Sequence, residues 1–282
     1  MKFTKMHGIG NDYVYISTFD QQVNAPHELS VRLSDRHCGV GSDGLILITP
    51  STIADVGMRM FNSDGSESEM CGNGIRCVGK FAYDNGLCAK TTMTVDTLAG
   101  IKTLNLHVEG GTVHTVRVDM GEPELKPSRI PLTGHDSEDR FVNKDIEVDG
   151  RLWRMTAVSM GNPHAVIFLD DSMDLDTMNL EAVGPAFEHH PLFPQRTNTE
   201  FVERVDRSTL RMRVWERGAG ETMACGTGAC AVAVAAVLNG LCDRDVRVYL
   251  LRGSLDIEWK QSDNHVFMTG EAVTVFTGTL YL

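Results

Sequence analysis

The sequence has no run of eighteen or more apolar residues, so no segment of it is expected to cross a membrane as a helix. It is also short of positive charge. Its 26 Lys and Arg stand against 38 Asp and Glu, a formal net charge of −12. The basic residues form no cluster, and phosphate contacts need one, so neither nucleic acid nor an anionic membrane is an expected partner. The opening stretch MKFTKMHGIGNDY lacks the apolar core of a secretory signal and the Arg- and Ser-rich character of a transit peptide. Seven cysteines with no export signal read as reduced thiols, not as a disulfide framework, and a cytoplasmic location is expected. The remaining composition, 42% hydrophobic and 23% charged, is that of a globular protein, and 282 residues fit two domains.

What the chain does contain is an internal duplication. Met70-Cys71-Gly72-Asn73-Gly74 returns as Ala224-Cys225-Gly226-Thr227-Gly228, and between Met58 and Cys88 twelve positions are identical at an offset of 154. Asn85-Gly86-Leu87-Cys88 recurs letter for letter at Asn239-Gly240-Leu241-Cys242. With small gaps the repeat extends further. Gly10-Asn11 pairs with Gly161-Asn162 at 151, Asp43-Gly44 with Asn198-Thr199 at 155, and Val95 and Gly100 with Val248 and Gly253 at 153. Two copies of one unit related by a pseudo-twofold axis would bring two similar thiols to opposite sides of one cleft. Inverting a carbon stereocentre by proton transfer from one face to the other uses such a pair.

Short apolar or alternating segments dominate: Tyr13–Ile16, 44–48, 56–61, 92–96, 104–108 and 112–120, then 156–159, 164–169, 210–215, 246–251, 254–259 and 273–282. These read as strands, many antiparallel, separated by Gly, Asn, Asp and Pro turns. Helices are expected over 74–84 and 228–238, each stopped by Asn-Gly, with weaker ones over 27–35 and 180–187. The second thiol helix is almost wholly apolar and should be buried on all sides. The expected class is α+β: two pseudo-symmetric duplicated domains, each a barrel-like, mostly antiparallel sheet around a central helix, with the active site in the cleft between them. One half is assigned 1–119 plus a C-terminal strand 271–282, the other 120–270. The polar stretch 123–138 is the expected crossover.

Each cysteine of the repeated loop precedes Gly-x-Gly at a helix start. Unpaired N–H groups and the positive end of the helix dipole favour thiolate there and also bind a carboxylate. The loop thus offers a base and carboxylate donors together, the two requirements for removing the weakly acidic α-hydrogen of an amino acid. Other readings stand beside this one. A cysteine is often a small buried hydrophobe, as expected for Cys38, Cys77, Cys88, Cys230 and Cys242. Cys71-x5-Cys77 and Cys225-x4-Cys230 fit zinc poorly, because both second cysteines fall inside helices, and no metal is expected. A dithiol redox role lacks Cys-x-x-Cys. The Gly-x-Gly lacks the strand–GxGxxG–helix unit of a dinucleotide site.

KMHGIGNDY at 5–13, DRHCGVGSDG at 35–44, FNSDGSESEMCGNGIRC at 61–77, SMGNPHAVIF at 159–168 and ERGAGETMACGTGAC at 216–230 resemble the diaminopimelate epimerase family. MGEP at 120–123 and the closing MTG…TG…L do so too, so the resemblance runs through the whole chain. It implies an isomerase that works without pyridoxal phosphate or other cofactor. It would interconvert LL- and meso-2,6-diaminopimelate for lysine and peptidoglycan precursors by two-base proton transfer. It further implies Cys71 as proton donor and Cys225 as acceptor, with His164 and Glu216 tuning the thiols. Asn11, Asn62, Gly72, Asn73, Asn162, Asn198, Glu216, Arg217, Gly226 and Thr227 would bind substrate. Outside the family context, His164 reads as a packed histidine and Asn11 as a turn residue. Some family members carry Gln where this chain has Gly44, so a side-chain amide is missing there. The resemblance also implies a homodimer, with Phe276 on the C-terminal strand near the contact. A racemase for another amino acid, a binding protein on the same scaffold and a thiol redox protein are the competing readings.

Overall fold

The computed structural model describes residues 1–281. The chain divides into two compact units, the first holding residues 1–119 and the chain from Thr269 on, the second Met120–Met268. Leu282, the end of the expected C-terminal strand, lies outside the described residues.

In chain order the first unit contributes β1 (Lys2–Gly8), β2 (Asn11–Ser17), α1 (Pro26–Ser34), β3 (Gly44–Thr49), β4 (Val56–Asn62), β5 (Glu67–Ser68), α2 (Gly72–Asp84), β6 (Thr92–Thr97), β7 (Gly100–Glu109) and β8 (Thr112–Gly121). There follow β9 (Lys144–Val148), β10 (Arg151–Ser159), β11 (Pro163–Phe168), α3 (Leu180–Glu188), β12 (Asn198–Arg204), β13 (Thr209–Glu216), β14 (Gly220–Thr222), α4 (Gly226–Leu238), β15 (Asp245–Leu250), β16 (Gly253–Trp259) and β17 (Val266–Glu271). The last strand, β18 (Val273–Thr279), returns to the first unit beside β1.

Pairing is mostly antiparallel. In the first unit β2 runs parallel to β3 across α1, and β4 parallel to β6 across α2. The second unit repeats this, with β11 parallel to β12 across α3 and β13 parallel to β15 across α4. A parallel pair needs a crossover, and in each case a helix supplies it. Helix α2 packs on β1, β2, β3, β4, β6 and β7, and α4 on β10, β11, β12, β15 and β16. Each thiol-bearing helix is therefore wrapped by strands of its own unit. Helix α4 is buried from Gly228 through Ala236, as its uniform apolarity requires. Gly86 and Gly240 end the two helices with φ of 70° and 69°, where a side chain would be strained, and Leu87 and Leu241 donate back to Ala82 and Ala236.

Register corrects one step of the repeat. Gly44 stands opposite Asn62, and Thr199 opposite Trp215. Gly44 therefore corresponds to Asn198, and the offset is 154 on β3 as on β4, not 155. Parallel pairing of Tyr13 with Gly44 and of His164 with Asn198 keeps the offset at 151 on β2.

Several strands carried no legible pattern. Strand β1 has Lys5 facing inward, buried against Asp12, and β12 opens with buried Asn198, Thr199 and Glu200. Alternation fails as a signal where polar side chains are buried with specific partners. Strands β9, β17 and the short β5 and β14 likewise carry no pattern that marks them as strands. The stretch 123–138 is not a free crossover. Glu124 bridges Ser159, and Ile130 and Leu132 join Phe141, Trp153, Phe187 and Phe201 in the core of the second unit.

Candidate active site

Both repeated cysteines are the N-cap residues of their helices. Cys71 has extended backbone and its sulfur accepts from the Gly74 N–H at 3.4 Å; Cys225 does the same with Gly228 at 3.4 Å. Sulfur thus takes the place that Ser or Asp oxygen usually occupies at a helix start.

Around Cys71 the polar contacts come from amides. Its Sγ–H donates to Asn11 Oδ1 at 3.4 Å, and Asn73 Nδ2 donates to the same oxygen at 3.4 Å. Beneath the loop, wholly buried Arg76 donates to the carbonyls of Gly72 and Glu271 and to Asn73 Oδ1, each at 3.1 Å. Asn62, expected to bind substrate, lies at the end of β4 with its amide donating to Ser66 Oγ at 3.0 Å. At Gly44 a Cβ would fall 2.1 Å from the Phe61 carbonyl oxygen and 2.8 Å from the Tyr13 ring, so the position is closed to any side chain without a shift of the strand.

Around Cys225 the contacts are acidic. The thiol is buried and lies 3.5 Å from Thr227 Oγ1, with the Glu216 carboxylate near enough to act on it electrostatically. His164, fully buried, pairs through Nδ1 with Glu200 Oε1 at 2.6 Å and through Nε2 with Asn162 Oδ1 at 3.0 Å. Burial pushes the Cys225 thiol well above its ordinary range, and the carboxylates of Glu216 and Glu200 push it further. That corrects the expectation that the helix N-terminus sets this thiol. The Gly228 N–H does pull it down, but burial and two nearby acids outweigh it. Burial also raises the Glu216 carboxyl, against the opposing bond from the Thr222 hydroxyl.

The turn carrying Glu216 and Arg217 is anchored from two sides. Asn198 Oδ1 accepts from the Arg217 N–H at 2.8 Å while its Nδ2 donates to the Pro163 carbonyl, so this amide has structural partners on both ends. Glu188, at the end of α3, accepts from Trp215 Nε1 at 2.8 Å and from the Gly218 N–H at 2.9 Å. Burial disfavours its charge, but these donors prevail and hold the Glu188 carboxyl below its usual value. The Arg217 guanidinium donates to the Gln195 carbonyl at 3.1 Å.

The diaminopimelate epimerase family model matches residues 3–126 and 156–275. A diaminopimelate epimerase from Desulfovibrio desulfuricans is 60% identical to this chain, covering 100% of it and 99% of the relative. The chain belongs to the diaminopimelate epimerase family. A second diaminopimelate epimerase, from Acetivibrio thermocellus, is 57% identical over 100% of this chain and 99% of its own length. The fold extends beyond that family. A hydroxyproline epimerase from Agrobacterium vitis, solved with trans-4-hydroxy-L-proline bound, superposes with a TM-score of 0.70 at 14% identity, over 99% of this chain and 90% of that one.

For this family member, sequence reading passed over Asp43, Arg76, Glu188 and Glu200. One carried a signal: Arg76 interrupts an otherwise buried helix face, whereas Glu200 follows the polar Asn198 and Thr199 and so does not stand out. A charge within a buried element implies a specific partner. Among the described residues, all seven cysteines are free, and no group of three or more His, Cys, Asp or Glu side chains is placed to hold a metal. Among them too, no helix is long and apolar enough to cross a membrane.

Proposed function

We propose that this protein is a diaminopimelate epimerase that interconverts LL- and meso-2,6-diaminopimelate by proton transfer between Cys71 and Cys225. Full-length identity of 60% to an enzyme of that name carries the reading. The local chemistry supports it, since each thiol caps the N-terminus of a helix, the end that suits a substrate carboxylate.

In the reaction one sulfur, as thiolate, takes the α-proton from one face. The electron pair of the broken C–H bond passes into the carboxylate-stabilised carbanion. The other sulfur, as thiol, delivers its proton to the opposite face, and the thiol and thiolate roles are exchanged. N–H groups of the Gly72-Asn73 and Gly226-Thr227 helix starts stabilise the charge that spreads onto the carboxylate. Asn11, Asn62, Asn162, Asn198, Glu216 and Arg217 are assigned to substrate, Arg217 gripping the distant carboxylate. His164 and Glu216 tune the Cys225 side. We place the enzyme in the cytoplasm as a homodimer, with exposed Val275 and Phe276 of β18 at the contact, which sedimentation would test.

The deciding experiment incubates reduced protein free of pyridoxal phosphate with LL-diaminopimelate in D2O and follows stereochemistry and α-deuterium by NMR. Meso product carrying solvent deuterium is expected. Cys71→Ala and Cys225→Ala should each lose about a thousandfold or more in turnover. Folded wild-type protein with intact thiols and no exchange would overturn the reading and lead to other amino acids as substrates.

A further inference from the structure

Two of the amides assigned to substrate lie in a chain of hydrogen bonds with a fixed polarity. Arg76 donates to Asn73 Oδ1, Asn73 Nδ2 donates to Asn11 Oδ1, and Asn11 Nδ2 donates to Asp43 Oδ2 at 2.8 Å. A guanidinium can only donate and a carboxylate can only accept. The two amides between them are free to turn in isolation, because oxygen and nitrogen are nearly equal in size. Between a donor at one end and an acceptor at the other, each has one satisfying orientation. Asn11 must present its N–H2 to Asp43 and its oxygen to Cys71.

Asp43 is itself well held. Its second bond on Oδ2 comes from the Asp12 N–H at 3.0 Å, Oδ1 accepts from Arg36 at 2.9 Å, and its own N–H donates to the Asp12 carbonyl at 2.7 Å. The carboxylate therefore cannot swing away to release the amide. The second unit has no such device at the matching position. Thr197 stands there, with its hydroxyl on the Pro163 carbonyl, and the Asn162 oxygen is engaged by His164.

We propose that Asp43 is a positioning residue for proton transfer at Cys71, fixing the Asn11 amide with its oxygen towards the sulfur. An oxygen there accepts the Sγ–H and stabilises the thiol, whereas a turned amide would offer N–H and stabilise the thiolate. Asp43 thereby holds Cys71 in the form that can deliver a proton. The inference rests on Cys71 and Asn11 belonging to the active site.

The test measures modification of Cys71 and Cys225 by iodoacetamide in the same molecules, by peptide mass spectrometry at one pH. In Asp43→Asn the ratio of Cys71 to Cys225 modification should rise about tenfold, the worth of one hydrogen bond. General loosening of the protein would speed both and leave the ratio unchanged. In an Asn11→Ala background, Asp43→Asn should change the ratio no further, because the effect passes through the amide. An unchanged ratio in folded Asp43→Asn, or an equal rise without Asn11, overturns the proposal. The ratio is read whether or not diaminopimelate turns over, so failure of the functional reading would show separately, in the wild-type exchange experiment.

Discussion

The two thiol loops share a backbone but rest on different chemistry. A Cβ on Gly74 would lie 2.7 Å from Ile46 Cδ1; a Cβ on the matching Gly228 would lie 2.7 Å from Glu200 Oε1. The same place under the helix start is thus filled by a methyl group in one unit and by a carboxylate in the other. Neighbouring positions differ in the same sense. Tyr13 corresponds to His164, Asn62 to Glu216, and the buried cation Arg76 to Cys230. Duplication preserved the parts that position a sulfur at a helix end: the N-cap, the two glycines and the crossover. It did not preserve the charges around that sulfur, and the proposed reaction, whose two thiols must hold different protonation states, needs that difference.

Breaking the acidic side should have the largest effect on stability. Glu200→Ala would leave His164 Nδ1 buried without its partner and open a cavity, a loss of about 3 kcal/mol in urea unfolding. Glu200 Oε2 is one of two buried side-chain atoms with no hydrogen-bond partner among the described residues, so the acid is costly to keep. Replacing both members with apolar groups, as His164→Leu with Glu200→Ile, should recover most of the lost stability without restoring turnover. Turnover near the wild-type rate in that double variant would mean the charge difference between the units is incidental.

A second difference lies behind the turns that follow β4 and β13. In the first unit Ser30 of α1 donates to the Phe61 and Asn62 carbonyls at 3.1 and 2.8 Å. In the second, Gly184 takes that place and leaves room for Trp215, whose ring would lie 2.2 Å from an added Cβ. Trp215 in turn brings an indole N–H that Glu188 satisfies. Gly184→Ala should therefore cost about 2 kcal/mol through overpacking, and should also disturb the Glu216–Arg217 turn. Ser30→Ala should cost about 1 kcal/mol, the loss of its hydroxyl bonds. Equal costs in thermal unfolding would show that the tryptophan adapts and that the two turns are interchangeable.

The duplication explains why so much of the fold was legible. Paired motifs such as Asn85-Gly86 and Asn239-Gly240 mark both helix ends, and the apolar run of α4 announces a buried helix among strands. Legibility failed where a buried position is polar. Lys5 hid β1, Asn198 and Glu200 hid β12, and the one-residue error in the repeat fell at Asp43 and Gly44, where the two copies have no letter in common. The thiols stood out by recurrence. Their surroundings did not, because Arg76, Asp43, Glu188 and Glu200 act through contacts between strands and helices far apart in sequence.

The last expected effect is confined to alkaline pH. Burial pushes Cys77 in the first unit up to about 11, and Cys242 in the second to about 11. Burial raises Cys225 as well. In the unfolded chain these thiols ionise near 8.5 to 9, while the folded protein keeps their protons. The unfolded state then binds fewer protons than the native state, so stability must fall as pH rises. For Cys77 and Cys242 the contribution is complete below about pH 8.5 and disappears as pH passes through their folded values near 11. Each such thiol steepens the decline by up to about 1.4 kcal/mol per pH unit in that window. Cys77→Ala should flatten the curve by the first unit's share and Cys242→Ala by part of the second's, measured by urea unfolding from pH 8 to 11. If Cys77→Ala alone flattened it and Cys242→Ala did not, solvent would be reaching the buried Cys242, and the acidic unit would carry its alkaline sensitivity on Cys225.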